Sequence, residues 1–179
     1  MRKIIISAGH GGTDPGASGN SYIERDLALE LRTLIVNQLK TLYNVDALID
    51  PPQNKLTDTL SWLRGKFGST DILFDIHWNA GGGTGIECIV PDQSSQFERT
   101  LSQAIVDRIS ALTTWKKRAG GVKPESDTAR KKLGWMRPNA ENILLEVCFI
   151  DNKLDMAIYQ ANKVGIAKII AEVLYKFSK

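Results

Sequence analysis

Apolar stretches with the spacing of β-strands alternate along this chain with stretches that have the spacing of amphipathic helices. Strands are predicted where apolar residues cluster without a helical period, at Lys3–Ala8, Val45–Ile49, Asp71–His77, Ile86–Val90 and Asn142–Ile150. Helices are predicted where apolar residues recur every three or four positions, at Glu24–Leu42, Leu56–Phe67, Ser94–Leu112 and Leu154–Phe177, the last with a candidate break before Ala161. The alternation predicts an α/β fold with a central, twisted, mostly parallel sheet flanked by helices on both faces.

The segments between these elements are short, apart from two. A glycine-rich loop follows the first strand and extends to about Asn20, and a basic segment from Trp115 to Thr128 is predicted to be irregular and to lie at the rim of a substrate site. Neither an internal repeat nor a linker interrupts the pattern. Because 179 residues are also an ordinary length for one domain, a single domain over residues 1–179 is expected.

Composition narrows the function classes. The net charge of +3 is mild, and no lysine- or arginine-rich run is interleaved with aromatic residues, so nucleic-acid binding has no support. No apolar stretch approaches the roughly 18 residues of a membrane span, so membrane insertion is not expected. The first apolar run stops at His10 and is interpreted as a strand, not as a signal peptide. Cys88 and Cys148 both lie in apolar runs and are predicted to be buried thiols.

The two histidines of the chain occupy equivalent positions. His10 and His77 each end an apolar strand, and glycines surround His10. Ligands of open α/β sheets bind beyond the carboxyl ends of the strands. A lone histidine there is usually a hydrogen-bonding residue, but two such histidines favour a shared metal site.

A catalytic zinc ion needs three protein ligands and an open position. Glu24 is the candidate third ligand, because it is the first carboxylate after the loop that begins at His10. The sequence Ser21-x-x-Glu24 also matches a helix capping box, in which the carboxylate binds backbone at the start of the helix. The two interpretations exclude each other in a structure, and spacing alone leaves them equal.

Glu146 lies inside the apolar stretch Asn142–Ile150. Burying a carboxylate there costs several kcal/mol unless the group is paired or neutral. An ion pair with an arginine is one explanation, but a general base beside a metal is favoured, because burial tunes a carboxyl group for that role. With a zinc-activated water, Glu146 would take up the proton of the nucleophile and pass it to the leaving nitrogen, which is amide hydrolysis.

Several other polar residues are lesser candidates. Asp75 and Glu87 are candidates for orienting a ligand histidine, Asn79 for contacting substrate, and Asp14 and Arg64 have no assigned role. Phosphate-binding and dinucleotide-binding glycine motifs and the serine-hydrolase elbow are absent. Cys148 lies in mid-strand, where nothing would lower the pKa of its thiol, which argues against a Cys–His hydrolase.

Four segments together resemble the zinc-dependent N-acetylmuramoyl-L-alanine amidases of the type-3 amidase family. They are Gly9-His10-Gly11-Gly12-Thr13-Asp14-Pro15-Gly16-Ala17, Glu24 at the start of the first helix, Asp71-Ile72-Leu73-Phe74-Asp75-Ile76-His77-Trp78-Asn79-Ala80 with Gly85-Ile86-Glu87, and Leu144-Leu145-Glu146-Val147-Cys148-Phe149-Ile150-Asp151-Asn152. The resemblance covers nearly the whole chain. It implies a peptidoglycan substrate, cleavage of the amide between N-acetylmuramic acid and L-alanine, one Zn²⁺ held by His10, Glu24 and His77, and Glu146 as the acid/base.

Three positions depart from the family pattern. Cys148 replaces a residue that is usually small, Asp50-Pro51-Pro52 stands where an arginine motif is common, and Arg64 does not align securely with the arginine of the second helix. These differences concern the substrate groove and leave the predicted zinc site intact.

The predicted domain resembles phage or prophage endolysins more than secreted amidases, because no leader is recognised. A monomer is expected that is made in the cytoplasm and acts on the bacterial wall after release or export. Two alternatives stay open: another metal-dependent enzyme, since two histidines and a carboxylate also describe non-haem iron sites, and a wall-binding module without activity.

Overall fold

The computed structural model describes residues 1–179 and is built on one six-stranded sheet. Its strands, in chain order, are β1 (Ile4–Ala8), β4 (Leu48–Ile49), β5 (Ile72–Asn79), β6 (Ile86–Val90), β7 (Lys117–Pro124) and β8 (Glu141–Phe149), and a separate hairpin is formed by β2 (Ser18–Gly19) and β3 (Tyr22–Ile23). The strand order is β4-β1-β5-β8-β6-β7, and only the β6–β8 pair is antiparallel. The predicted single-domain α/β fold with a mostly parallel sheet is therefore confirmed.

Helices cover the two faces of the sheet unequally. The helices are α1 (Glu24–Tyr43), α2 (Leu56–Leu63), α3 (Gln96–Thr113) and α4 (Lys153–Ser178). Three of them, α1, α3 and α4, bury one face in a core of 33 residues, whereas α2 and a short 3₁₀ turn at Gly134–Met136 cover part of the other in a cluster of seven. The thinly covered face leaves room for a cavity.

The alternation of side chains along β5 decides what faces that cavity. Ile72, Phe74, Ile76 and Trp78 point into the large core, as expected when one side of a strand is packed against helices. The intervening positions therefore point to the other face, and from Asp75 onward these positions are polar. The interruption of the apolar run by Asp75 thus marks the side of the sheet on which the chemistry lies.

Most element boundaries agree with the sequence within one or two residues, but the segment Trp115–Thr128 was wrongly predicted to be irregular. Its central part is β7, an edge strand paired in parallel with β6. Only Gly121 is buried in β7, because the opposite edge faces solvent and α3 covers only part of it. Backbone pairing with β6 holds the strand in place. Since little of the strand is buried, its sequence needs no apolar alternation.

Two helices also differ from prediction. The α4 helix is continuous through Ala161, and α2 ends at Leu63, before the predicted Phe67. The backbone leaves the helix at Arg64, whose ψ is 124°, and Gly65 then adopts a φ of +72°. None of the four helices is both long and apolar enough to cross a bilayer. Cys88 and Cys148 are buried and unpaired.

Candidate active site

A cavity of about 720 Å³ opens where the carboxyl ends of β1, β5 and β8 meet. Since β6 runs antiparallel to β8, the amino end of β6 reaches the same edge of the sheet. The polar residues predicted from sequence converge there: His10, Asp14, Glu24, Asp75, His77, Asn79, Glu87 and Glu146 all line the cavity. Arg64 does not line it and is exposed. The apolar part of the wall consists of Ala8, Ala17, Leu56, Trp78, Ala80, Ile89, Ala129, Leu133, Trp135 and Leu144.

His10, Glu24 and His77 form a compact cluster at one end of the cavity. Each offers a ligand atom, and these three atoms lie within 4.8 Å of one another. The Nε2 atom of His10 is 3.2 Å from Glu24 Oε2, and the Nδ1 atom of His77 is 3.0 Å from Glu24 Oε1. The two rings meet edge to face with their centroids 5.1 Å apart. Two imidazole nitrogens and one carboxylate are a donor set typical of catalytic zinc.

The start of α1 argues against the capping interpretation of Glu24. Ser21 does not cap the helix, because it lies in the β2–β3 turn with a φ of +67°, and the residue before the helix, Ile23, makes no side-chain capping bond. The carboxylate of Glu24 instead accepts hydrogen bonds from the backbone N–H of Ala17 and of Trp78, at 2.8 and 3.0 Å. These bonds hold the carboxylate between the two histidines.

The second nitrogen of each histidine is also occupied by a carboxylate. Nδ1 of His10 is 2.9 Å from Asp14 Oδ2, and Nε2 of His77 is 3.0 Å from Asp75 Oδ2. Such partners fix the tautomer and the orientation of a metal-binding imidazole. The contact with His77 supports the predicted orienting role of Asp75. Asp14, whose role the sequence left open, makes the equivalent contact with His10.

Two glycines leave the space that this packing needs. A Cβ added to Gly9 would lie 2.5 Å from Cε1 of His77, and one added to Gly16 would lie 2.5 Å from Oε2 of Glu24. Gly16 also has a φ of +66°, which glycine adopts readily. His10 itself has a φ of +67°, a conformation that costs a non-glycine residue about 1–2 kcal/mol and recurs at functional sites.

The charges of the cluster stabilise one another. Burial opposes ionisation of Glu24, but hydrogen bonds with His10 and His77 outweigh it and hold the pKa of Glu24 well below its usual range. Burial likewise disfavours the cationic form of His77, yet Asp75 and Glu24 raise the pKa of His77 well above its usual value. The cluster is therefore a strongly anionic environment that favours positive charge at the imidazoles.

Glu146 stands beside this cluster and has a different environment. Its Oε2 atom is buried without a hydrogen-bond partner. Burial and the carboxylates of Glu24 and Glu87 raise the pKa of Glu146, nearby His77 lowers it, and the net result is a pKa of about 7. No arginine pairs with Glu146, so the ion-pair explanation of this residue has no support. A carboxyl group with a pKa near neutrality is suited to both accept and donate a proton.

Glu87 and Asn79 form a second polar group on the cavity wall. Asn79 Nδ2 donates to Glu87 Oε1 at 2.9 Å, and Lys123 Nζ lies 3.0 Å from Glu87 Oε2. Sequence reasoning missed Lys123, which lines the cavity from β7. The lack of an apolar alternation in that segment concealed its strand.

Two imidazoles and a carboxylate, gathered at the carboxyl edge of a mostly parallel sheet, define an α/β protein with a candidate metal centre. The chain belongs to the N-acetylmuramoyl-L-alanine amidase family, whose model matches residues 4–176. The family resemblance carried by the four sequence segments is thus confirmed.

Several relatives extend this assignment. A sporulation-specific N-acetylmuramoyl-L-alanine amidase from Bacillus subtilis is 33% identical over 127 residues, 66% of this chain and 49% of that protein. The endolysin of Bacillus phage SPP1 is 26% identical over 97% of this chain and 67% of its own length. A solved structure from Neisseria meningitidis, assigned as an N-acetylmuramoyl-L-alanine amidase, has a TM-score of 0.80 at 29% identity and covers 97% of this chain and 94% of that one. The chain spans about half the length of the Bacillus subtilis relative.

Proposed function

We propose that this chain is a zinc-dependent hydrolase of peptidoglycan that cleaves the amide between N-acetylmuramic acid and L-alanine. The observation that carries the proposal is the cluster of His10, Glu24 and His77 with the unpartnered carboxyl group of Glu146 beside it. Membership in the amidase family supports the substrate and the bond.

The residues present fit one zinc ion. In the proposal, His10 binds through Nε2 and His77 through Nδ1, because the other nitrogen of each ring already faces Asp14 or Asp75. Glu24 supplies a carboxylate oxygen. A bound zinc ion would lower the pKa of a coordinated water to about 7 and would polarise a carbonyl oxygen. Three protein ligands leave a position open, as catalytic zinc sites require.

Glu146 serves as the acid/base in this proposal. As a carboxylate it accepts a proton from the attacking water, and as a carboxylic acid it then delivers that proton to the amide nitrogen, so that the C–N bond breaks and an amine leaves. In the metal-free protein, burial and the neighbouring carboxylates raise the pKa of Glu146 to about 7, which supports its role in proton transfer.

For the biological role we propose a wall-degrading enzyme of the lysin type. The relative from phage SPP1 that is named an endolysin is similar over 97% of this chain, which supports this role. The substrate would be the bacterial wall, and the domain over residues 1–179 would be the catalytic domain.

The products of digestion test the proposal. Purified peptidoglycan is incubated with the zinc-loaded protein, and the soluble products are analysed by mass spectrometry and by labelling of free amines. We expect peptides with a free N-terminal L-alanine and no new reducing sugar ends. The Glu146→Gln protein, prepared in the same way, should release no peptides with a free N-terminal L-alanine. New reducing ends, or wall binding without any product, would contradict the proposal.

A further inference from the structure

The Asn79–Glu87 hydrogen bond spans the strand that carries Glu146. In the order β5-β8-β6, Asn79 lies on β5 and Glu87 on β6, so their side chains meet across β8. Glu146 is the Cα partner of His77 on one side and of Glu87 on the other. The carboxyl group of Glu146 is therefore next to a bridge that begins two residues beyond His77 on the same face of the sheet.

Glu87 is held in this bridge as an acceptor. It is 1% exposed, and besides Asn79 it contacts Lys123 Nζ at 3.0 Å and Arg118 Nε at 3.3 Å. Both cations come from the edge strand β7. A buried carboxylate is found where such cations compensate its charge, and in this form it accepts hydrogen bonds but donates none.

This arrangement fixes the orientation of the Asn79 amide. Because Glu87 only accepts, the side-chain nitrogen of Asn79 must face it. The side-chain oxygen of Asn79 accepts no hydrogen bond from the protein, and the residue lines the cavity. Glu87 thus presents the Asn79 Oδ1 atom as a fixed acceptor on the cavity wall.

We propose that Asn79 Oδ1 accepts the N–H of the scissile amide and holds its nitrogen beside Glu146, with Glu87 as the positioning residue. The inference rests on the proposed amidase function. In a trans secondary amide the C=O and N–H bonds point in opposite directions. A substrate amide lying along the end of β5 would therefore direct its carbonyl oxygen toward the His10–Glu24–His77 cluster and its N–H toward Asn79. Its nitrogen would then lie where Glu146 delivers the proton.

A matched pair of substrates tests the inference. One is a muramoyl-L-alanyl peptide, and the other is the analogue in which L-lactate replaces L-alanine, so that an ester oxygen replaces the N–H. We expect Asn79→Ala to lower kcat/KM on the amide about tenfold or more and to change kcat/KM on the ester by less than about threefold. Asn162→Ala, which alters an asparagine on α4 outside the cavity, should change neither rate.

The positioning role of Glu87 is tested by a double-variant cycle on the same two substrates. The glutamine of Glu87→Gln can donate or accept, so Asn79 would lose its fixed orientation and the amide rate should fall more than the ester rate. The lost charge of Glu87 also acts on the pKa of Glu146 and affects both rates alike, so the ratio of the amide rate to the ester rate is the quantity compared. The double variant should then lose little beyond Asn79→Ala. Zinc content and Tm are measured for each protein so that misfolded variants are recognised.

Two results would overturn the inference while the proposed function stands: equal losses on amide and ester in Asn79→Ala, or additive losses in the amide-to-ester ratio of the double variant. Failure of the wild-type protein to cleave the amide substrate would instead overturn the proposed function.

Discussion

His77 and Glu146 are Cα partners across the parallel strands β5 and β8, so a candidate metal ligand and the candidate acid/base stand side by side on one face of the sheet. Backbone pairing fixes this relationship, which no loop movement disturbs. Placing a carboxyl group at this position has a cost, since the buried Oε2 atom of Glu146 has no partner. The cost should be measurable as a loss of stability.

Replacing Glu146 by glutamine is expected to stabilise the metal-free protein, and only at higher pH. A folded-state pKa of about 7 against an ordinary 4.5 means that the folded protein binds the proton more tightly, so wild-type stability falls as pH rises from 4.5 to about 7. The Glu146→Gln protein lacks this loss. Chemical denaturation should give it an advantage of about 1–3 kcal/mol near pH 8 and little near pH 5. An equal difference at both pH values would contradict the assignment.

The Asp75→Asn variant is expected to bind zinc more weakly. Asp75 lies 3.0 Å from His77 Nε2, and a charged partner makes a ligand imidazole a better donor. Competition with a chromogenic chelator should show a loss of about 10–100-fold in zinc affinity. Asp46→Asn, at an exposed position, serves as the control. Unchanged affinity in Asp75→Asn would remove Asp75 from the metal site.

Adding one methyl group at Gly9 should disrupt the cluster. The new Cβ would lie 2.5 Å from Cε1 of His77 and 2.6 Å from the Ile76 carbonyl oxygen, so the ring must move. We expect Gly9→Ala to lose zinc and activity. Gly68→Ala is a matched control, because its Cβ would meet only Asp71 Oδ2 at 3.8 Å and its φ is not positive. Full zinc content in Gly9→Ala, measured by mass spectrometry under native conditions, would show that His77 is not a ligand.

A buried ion pair beside the cavity should matter for stability. Arg32 and Asp50 are 5% and 3% exposed and contact each other, and Asp50 also accepts a hydrogen bond from Thr59. Arg32→Met leaves the charge of Asp50 uncompensated and should cost about 3–5 kcal/mol of unfolding free energy. Adding Asp50→Asn to that variant should restore most of the loss in urea denaturation. Additive losses in the double variant would indicate that the two residues act independently.

The sequence predicted those elements and site residues that are determined by the residues next to them in the chain. Apolar runs marked β1, β5, β6 and β8 because these strands are buried, and a polar residue within such a run, as at Asp75 or Glu146, had to serve a purpose other than packing. The convergence of His10 and His77 followed from their positions at strand ends.

The remainder depends on contacts between distant residues. The edge strand β7 is formed by pairing with β6, so its own residues carry no apolar alternation, and Lys123 stayed hidden with it. The evidence against a capping role for Glu24 also needed the structure. The hydrogen bond that holds its carboxylate comes from Trp78 N–H, 54 residues away.

The zinc content of the purified wild-type, His77→Ala and Glu146→Gln proteins, measured together with amidase activity on the same samples, tests the central claim most directly. We predict one zinc per chain and release of N-terminal L-alanine peptides for the wild type, one zinc without activity for Glu146→Gln, and neither for His77→Ala. Amide cleavage by a protein that holds no metal, or activity retained in either variant, would contradict the account.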